Sequence, residues 1–129
     1  MQHELLGALS RARMPLSSTR RGILTLLLKH TFAALFLTEV ASPDVRHDLD
    51  TWLRHVTPVR SEAFEHADEG RDDMPAHVGS ASLGVNLSLP VHDGAPDLGP
   101  WQGIVFAELR DQGRPRRVTA TLRSDERSA

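Results

Sequence analysis

The sequence contains no cysteine, which excludes disulfides, thiolate metal sites and cysteine nucleophiles. That absence permits an intracellular protein, and the expected location is the cytoplasm. Lysine is nearly missing too: Lys29 is the only one. The remaining basic charge is arginine, which suits bidentate oxyanion binding. No basic segment leads into a long apolar run at the N-terminus, and nowhere is there an apolar stretch of membrane-spanning length, so neither a signal peptide nor a membrane partner is expected. An excess of positive charge is also lacking. Fifteen Lys and Arg stand against 17 Asp and Glu, a net charge of -2, which argues against nucleic acid as a partner because phosphate-backbone binding is driven by surplus cations.

What is present describes one globular domain. A chain of 129 residues, 40% hydrophobic and 25% charged, can bury one real core but not two, so a single domain over residues 1–129 is expected. Met1–Arg13 carries a weak apolar helical stripe. Gly22–His30 and Phe32–Val40 are apolar runs of strand length, separated at Thr31. Ser42-Pro43-Asp44 is a helix start, with a capping serine, proline in the first turn and an acid at the positive end of the dipole. The helix after it places Val45, Leu49, Trp52, Leu53 and Val56 on one face and Arg46, Asp50 and Arg54 on the other, until Thr57-Pro58 ends it. From Asn86 the period becomes two, and Leu87, Leu89 and Val91 alternate with polar or turn residues. Trp101–Arg110 and Arg116–Ser124 read as further strands around a DQGRP turn. In the last of these Val118, Ala120 and Leu122 oppose Arg117, Thr119, Thr121 and Arg123, as a half-exposed antiparallel strand requires.

The chemistry is concentrated in Glu65–Gly84, EHADEGRDDMPAHVGSASLG, which holds two histidines, five acidic side chains and three glycines. It is too polar for core, and its residue order suggests a loop running into a short helix. Asp73 is the expected cap, Pro75 lies in the first turn, and Gly84 follows the end. His30, His66 and His77, with Asp73, are candidate ligands for a divalent metal, because a strand end, a loop and a helix can bring imidazoles and a carboxylate together. Their spacing matches no short metal signature. Proton transfer or hydrogen bonding to a phosphate is the competing role, and three polar histidines satisfied by loop backbone is the plain alternative. Glu39, Asp48, Glu69, Asp72 and Asp73 are candidates to hold Mg²⁺ against a diphosphate, against a reading as solvated surface. Ser80 and Ser82 have no adjacent base, so phosphate hydrogen bonding is the better functional reading and helix surface the plain one. Arg110, Arg116 and Arg117 are candidate phosphate clamps. Gln102 follows Trp101, whose ring is expected in the core rather than as a stacking platform. His47 and His55 fall on the exposed side of the helix, His92 in a turn, and His3 at a terminal surface.

Taken in order, HTFAALFLTE, SPDVRHDL, FEHADEGRDDMPAHVGSASLG, LSLPVHDG, GPWQGIVFAELR and RRVTATL resemble the YjbQ family, also called the secondary thiamine-phosphate synthase family, from about Gly22 to Leu122. The resemblance implies an α+β fold of sandwich-like antiparallel β-sheets with two or three short helices, associating as a homotrimer. It implies a small phosphorylated molecule as partner and a divalent cofactor, Zn²⁺ or Mg²⁺. The activity it suggests is transfer of a pyrimidine diphosphate onto thiazole phosphate, releasing pyrophosphate, with His30, His66, His77, Glu39 and Asp48 as catalytic residues. Ser80, Gln102, Arg110 and Arg117 would bind phosphate, and His30, His66, His77 and Asp73 the metal. A non-catalytic binding or assembly protein and a metal-assisted phosphate hydrolase are the alternatives. The chain departs from the family pattern at Phe32, Thr38, Val40, Ser42, Pro100 and Leu109. A further family strand that precedes the segment matching Met1–Arg13 has no counterpart here, so the domain reads as shortened at its N-terminus, with a sheet edge left open or covered by a neighbour. Phe32, Thr38 and Leu109 motivate the non-catalytic alternative, since a bulky ring at Phe32, beside His30, could fill the pocket; an open polar pocket holding His30, His66 and His77 would favour an enzyme.

Overall fold

The structure is a computed structural model that describes residues 16, 18–57 and 64–125. The helix expected over Met1–Arg13, part of the loop after Pro58 and the end of the C-terminal tail lie outside the described residues. In chain order the elements are β1 (Arg21–Leu28), β2 (Ala33–Glu39), α1 (Pro43–Val56), α2 (Asp73–Leu83), β3 (Asn86–His92), β4 (Ala95–Pro96), β5 (Gln102–Glu108) and β6 (Val118–Ser124).

The apolar run of β1 resolves into strict alternation. Gly22, Leu24, Leu26 and Leu28 are buried while Arg21, Ile23, Thr25 and Leu27 face out, because successive side chains of a strand point to opposite faces. β1 is central in an antiparallel sheet of order β4-β3-β1-β6. Its register sets Leu24 between Leu89 and Leu122, and Leu26 between Leu87 and Ala120. β2 and β5 form a second antiparallel sheet with Leu35 opposite Phe106. One hydrophobic cluster joins the two sheets, with Leu24, Leu26, Leu28, Leu89 and Val91 from the first meeting Ala33, Leu35 and Ile104 from the second. Leu24 and Leu26 are both fully buried, and each such leucine contributes about 1.5–3 kcal/mol relative to an exposed one. The α+β architecture with sandwich-like antiparallel sheets is therefore the one expected.

Three local expectations are corrected. On α1, Leu53 is buried and Val45 and Leu49 half-buried, but Trp52 is 52% exposed and Val56 44% exposed. Positions 45, 49 and 53 form the inward column, and the neighbouring column of 52 and 56 looks outward, so the apolar stripe is wider than the face this domain covers. Trp101, expected in the core, is 65% exposed on the turn before β5. At α2 the cap position belongs to Asp72, and Asp73 is the first helical residue with its side chain fully buried. Ser42 does occupy the cap position of α1, although its side chain makes no capping hydrogen bond. No helix among the described residues is long and apolar enough to cross a membrane.

α2 packs against β2. Ala34 is fully buried but points to the face opposite Ala33 and Leu35, and small residues of α2, Ala76 and Gly79, are buried in turn. A methyl group at Gly79 would sit 2.9 Å from a Leu109 methyl carbon, so Leu109 closes the gap beside the helix. This packing holds the first turn of α2 next to the β1–β2 connection, where His30, Thr31 and Phe32 lie.

Candidate metal centre

Asp73 is the centre of the site. Its Oδ2 accepts a hydrogen bond from the Glu69 backbone N–H at 3.0 Å and lies 3.1 Å from His66 Nε2. Its Oδ1 lies 3.0 Å from His77 Nε2, one turn further along α2, the spacing at which i and i+4 side chains meet. One ligand atom from each of His66, Asp73 and His77 can be chosen so that all lie within 4.8 Å of one another, and the two imidazole centroids are 5.3 Å apart.

The hydrogen bonding fixes what these groups can do. His77 Nδ1 is 3.0 Å from the Thr31 carbonyl oxygen, and a carbonyl can only accept, so Nδ1 carries the proton. In the neutral ring Nε2 then presents a lone pair to Asp73 Oδ1. That oxygen is buried and receives no hydrogen bond. Two lone pairs 3.0 Å apart repel unless a cation, a proton or a metal, lies between or beside them. Two imidazole nitrogens and a carboxylate oxygen are the donor set that zinc-type centres use while leaving a position open, and the Thr31 carbonyl is the outer partner that orients such a histidine.

His30 is not brought into this group. Its Nδ1 faces the Phe32 N–H at 3.0 Å and its Nε2 faces Arg116 Nη1 at 3.1 Å. Both neighbours are donors, so a neutral imidazole satisfies one of them and only as an acceptor. Burial, then the Arg116 guanidinium, hold its pKa below the ordinary 6.5, against the pull of Glu108 and Glu69. The Phe32 ring stands between, 5.1 Å from the His30 ring and 4.6 Å from the His77 ring, centroid to centroid. Phe32 therefore fills the space through which His30 would reach the other two, as its bulk suggested, while His66, Asp73 and His77 remain together on its far side.

Other candidates are placed elsewhere. Arg116 is held in two-pronged contact by Glu108, Nε to Oε2 at 2.9 Å and Nη2 to Oε1 at 3.1 Å. Arg110 donates to Glu69 and Asp72, so both arginines are occupied by the protein's own acids rather than free for phosphate. Arg117 is exposed just before β6, which begins at Val118 rather than at Arg116. Ser80 is buried and Ser82 exposed, which corrects the surface reading for the first of them. The Gln102 side-chain oxygen accepts from the Gly99 N–H at 2.9 Å. Glu39 ends β2 half-buried, and Asp48 projects from α1 beside His47, 81% exposed; neither belongs to the histidine and aspartate group. His47 and His55 are exposed on α1 as their positions suggested, and His92 is exposed too but ends β3 rather than lying in the turn after it. Glu108 and the Thr31 carbonyl escaped sequence reasoning, since a backbone acceptor leaves no residue signature and Glu108 meets Arg116 across a turn with no fixed spacing.

A family model described as UPF0047 protein YjbQ-like matches residues 10–125 of the chain. The chain belongs to the YjbQ family. Among YjbQ-family relatives it is similar to the UPF0047 protein YjbQ of Escherichia coli O157:H7, 46% identical over 104 residues that cover 81% of this chain and 75% of that protein. It is also similar to the UPF0047 protein sll1880 of Synechocystis, 36% identical over 102 residues, 79% of this chain and 69% of that one. Two solved structures share the fold. A YjbQ-family protein from Clostridium acetobutylicum has a TM-score of 0.74 at 27% identity, covering 90% of this chain and 82% of its own. A conserved hypothetical protein from Thermus thermophilus has a TM-score of 0.72 at 30% identity, covering 90% and 87%.

Proposed function

We propose that this YjbQ-family protein is a metal-dependent enzyme acting on a small phosphorylated molecule, with the metal held by His66, Asp73 and His77. The observation that carries the reading is the buried Asp73 Oδ1, which accepts no hydrogen bond and lies 3.0 Å from His77 Nε2, the nitrogen left free when Nδ1 donates to the Thr31 carbonyl. When bound, a divalent cation there supplies Lewis acidity to a phosphoryl oxygen. Asp73 and the two imidazoles supply the donors, the Thr31 carbonyl keeps His77 in the ligating tautomer, and Phe32 walls the site against His30 and Arg116. The donor set is two nitrogens and one oxygen, which suits zinc-like ions better than Mg²⁺ with its preference for oxygen. Arg110 and Arg116 are already neutralised by carboxylates. Both points favour hydrolysis of a phosphate ester over transfer that releases a full pyrophosphate.

Thiamine-phosphate formation is the second reading, supported by the EH…EG..DMPAH, LPVH.G and WQGI segments that carry the family resemblance. We infer further that the protein works as a homotrimer. Purified protein is expected to bind about one equivalent of Zn²⁺, with His77→Ala weakening it more than a hundredfold, beyond the roughly 10–100-fold typical of an outer-shell change. Equal binding by wild type and His77→Ala overturns the metal site. Release of inorganic phosphate from simple phosphate esters, absent in His66→Ala, supports hydrolysis. Thiamine phosphate formed from the two precursors, absent in His66→Ala, supports the second reading. Metal binding with neither product leaves a non-catalytic binding protein.

A further inference from the structure

His66 differs from the other two members of the group in its support. Asp73 and His77 sit on α2, whereas His66 stands in a stretch without helix or strand, residues 64–72. A ligand on such a stretch is useful only if something removes the loop's freedom, because each unfixed residue must lose backbone entropy when the site forms.

The loop's ordering converges on one side chain from another part of the chain. Arg110, two residues beyond the end of β5, donates from Nη1 to Glu69 Oε2 at 2.9 Å, and from Nη2 both to the Glu69 carbonyl oxygen and to Asp72 Oδ1, the latter at 3.0 Å. The Asp111 N–H donates to the other oxygen of Asp72 at 3.0 Å. The guanidinium thus spans Gly70, which turns at φ +124° where L side chains rarely go. Its position is fixed from below as well, with Cζ 4.8 Å from the centroid of the Phe32 ring. The clasp reaches the ligands through one link: Glu69, held by Arg110, donates its N–H to Asp73 Oδ2, the oxygen that lies 3.1 Å from His66 Nε2.

We propose that Arg110 is the positioning residue of this centre, the side chain that fixes residues 69–72 and thereby holds His66 against Asp73. The inference rests on the metal-site reading above and adds to it which residue assembles the site. Arg110 acts here through geometry rather than as a phosphate ligand, since both of its terminal nitrogens are spent on the loop. Charge alone does not suffice, because lysine lacks the planar fork that reaches Glu69 and Asp72 together.

The test is a double-mutant cycle on Zn²⁺ affinity, measured by chelator competition on the full chain with wild type, Arg110→Ala, His66→Ala and the double variant. Arg110→Ala is expected to weaken Zn²⁺ about 10–100-fold, Arg110→Lys nearly as much, and Arg110→Ala to add nothing once His66 is gone. An equal loss in both backgrounds, or none in either, overturns the proposal. Asp72→Asn, which removes one arm of the clasp, serves in place of Arg110→Ala should the latter not fold. Imidazole NMR of metal-free protein gives a separate readout. The His66 ring is expected to lose its distinct environment in Arg110→Ala while the His77 Nδ1–H stays on the Thr31 carbonyl; an unchanged His66 signal overturns the proposal. Failure of wild type to bind Zn²⁺ would sink the metal reading alone, and the NMR comparison would then judge the clasp by itself.

Discussion

Asp72 and Asp73 are adjacent acids with opposite assignments, and side-chain direction alone separates them. Asp72 points to Arg110 and the Asp111 N–H. Burial works against its ionisation, but those hydrogen bonds outweigh burial and hold its carboxyl below the usual carboxylate range. Asp73 points inward, with a side chain 1% exposed, at the two histidines. His30 shows the third way an ionisable group is used, kept neutral as an acceptor beneath Arg116. Its folded pKa lies below 6.5, so between that value and 6.5 the unfolded chain binds a proton that the folded chain does not. Stability from this group is therefore complete above about pH 6.5 and is lost as pH falls through the folded pKa. Urea midpoints measured from pH 7.5 down to 5 are expected to fall less steeply for His30→Asn than for wild type. A His30 that titrates by NMR at or above 6.5 would contradict this. The sequence made the pair His66 and His77 legible because polar imidazoles in an acidic loop stand out. The bulk of Phe32 hinted that it would crowd His30, but the sequence could not show that Arg110 and Arg116 would meet internal acids, because those contacts join residues 41 and 8 positions apart with no periodic signal.

Among the elements, strands were readable wherever alternation reported a single buried face, as in β3 and β6, and helices wherever proline and an acid marked the start. What was not readable was how much of an apolar face this domain covers. α1 keeps an i,i+4 ion pair, Arg54 Nε to Asp50 Oδ2 at 2.9 Å, on its polar side, yet leaves Trp52 and Val56 out of the core. The end of α2 was readable and carries a second consequence. Gly84 adopts φ 97° and ψ 166°, a region essentially confined to glycine, where another residue costs about 1–3 kcal/mol. Its N–H bonds the Ser80 carbonyl at 2.9 Å and its carbonyl accepts from the Leu35 N–H at 2.9 Å, so the turn ties the helix to the middle of β2. Nothing lies within 4 Å of a methyl group built there, hence the loss in Gly84→Ala is backbone strain alone. The urea midpoint should drop by an amount in that range with the slope unchanged, and an unaltered midpoint would show that the turn relaxes freely.

At the scale of the molecule, the two sheets account for Leu24, Leu26, Leu35 and Val105, but not for the large apolar side chains left outside. Trp52 and Trp101 are the only tryptophans in the sequence, and both are more than half exposed. Ile23 and Leu27 add 44% and 43% exposure on the outer face of β1. Tryptophan is the residue most often found at the energetic centre of protein interfaces, and a chain with few aromatics that spends both tryptophans on its surface is better accounted for by a partner copy than by solvent. The proposed trimer supplies that partner. Light scattering of wild type is expected to give the mass of three chains. Trp52→Arg or Trp101→Arg is expected to shift it toward one chain while the far-ultraviolet spectrum is retained, because a side chain exposed within its own domain contributes only within about ±0.5 kcal/mol to that domain's stability. Wild type with the mass of a single chain would remove the trimer, and a trimer untouched by either substitution would place its interface away from both tryptophans.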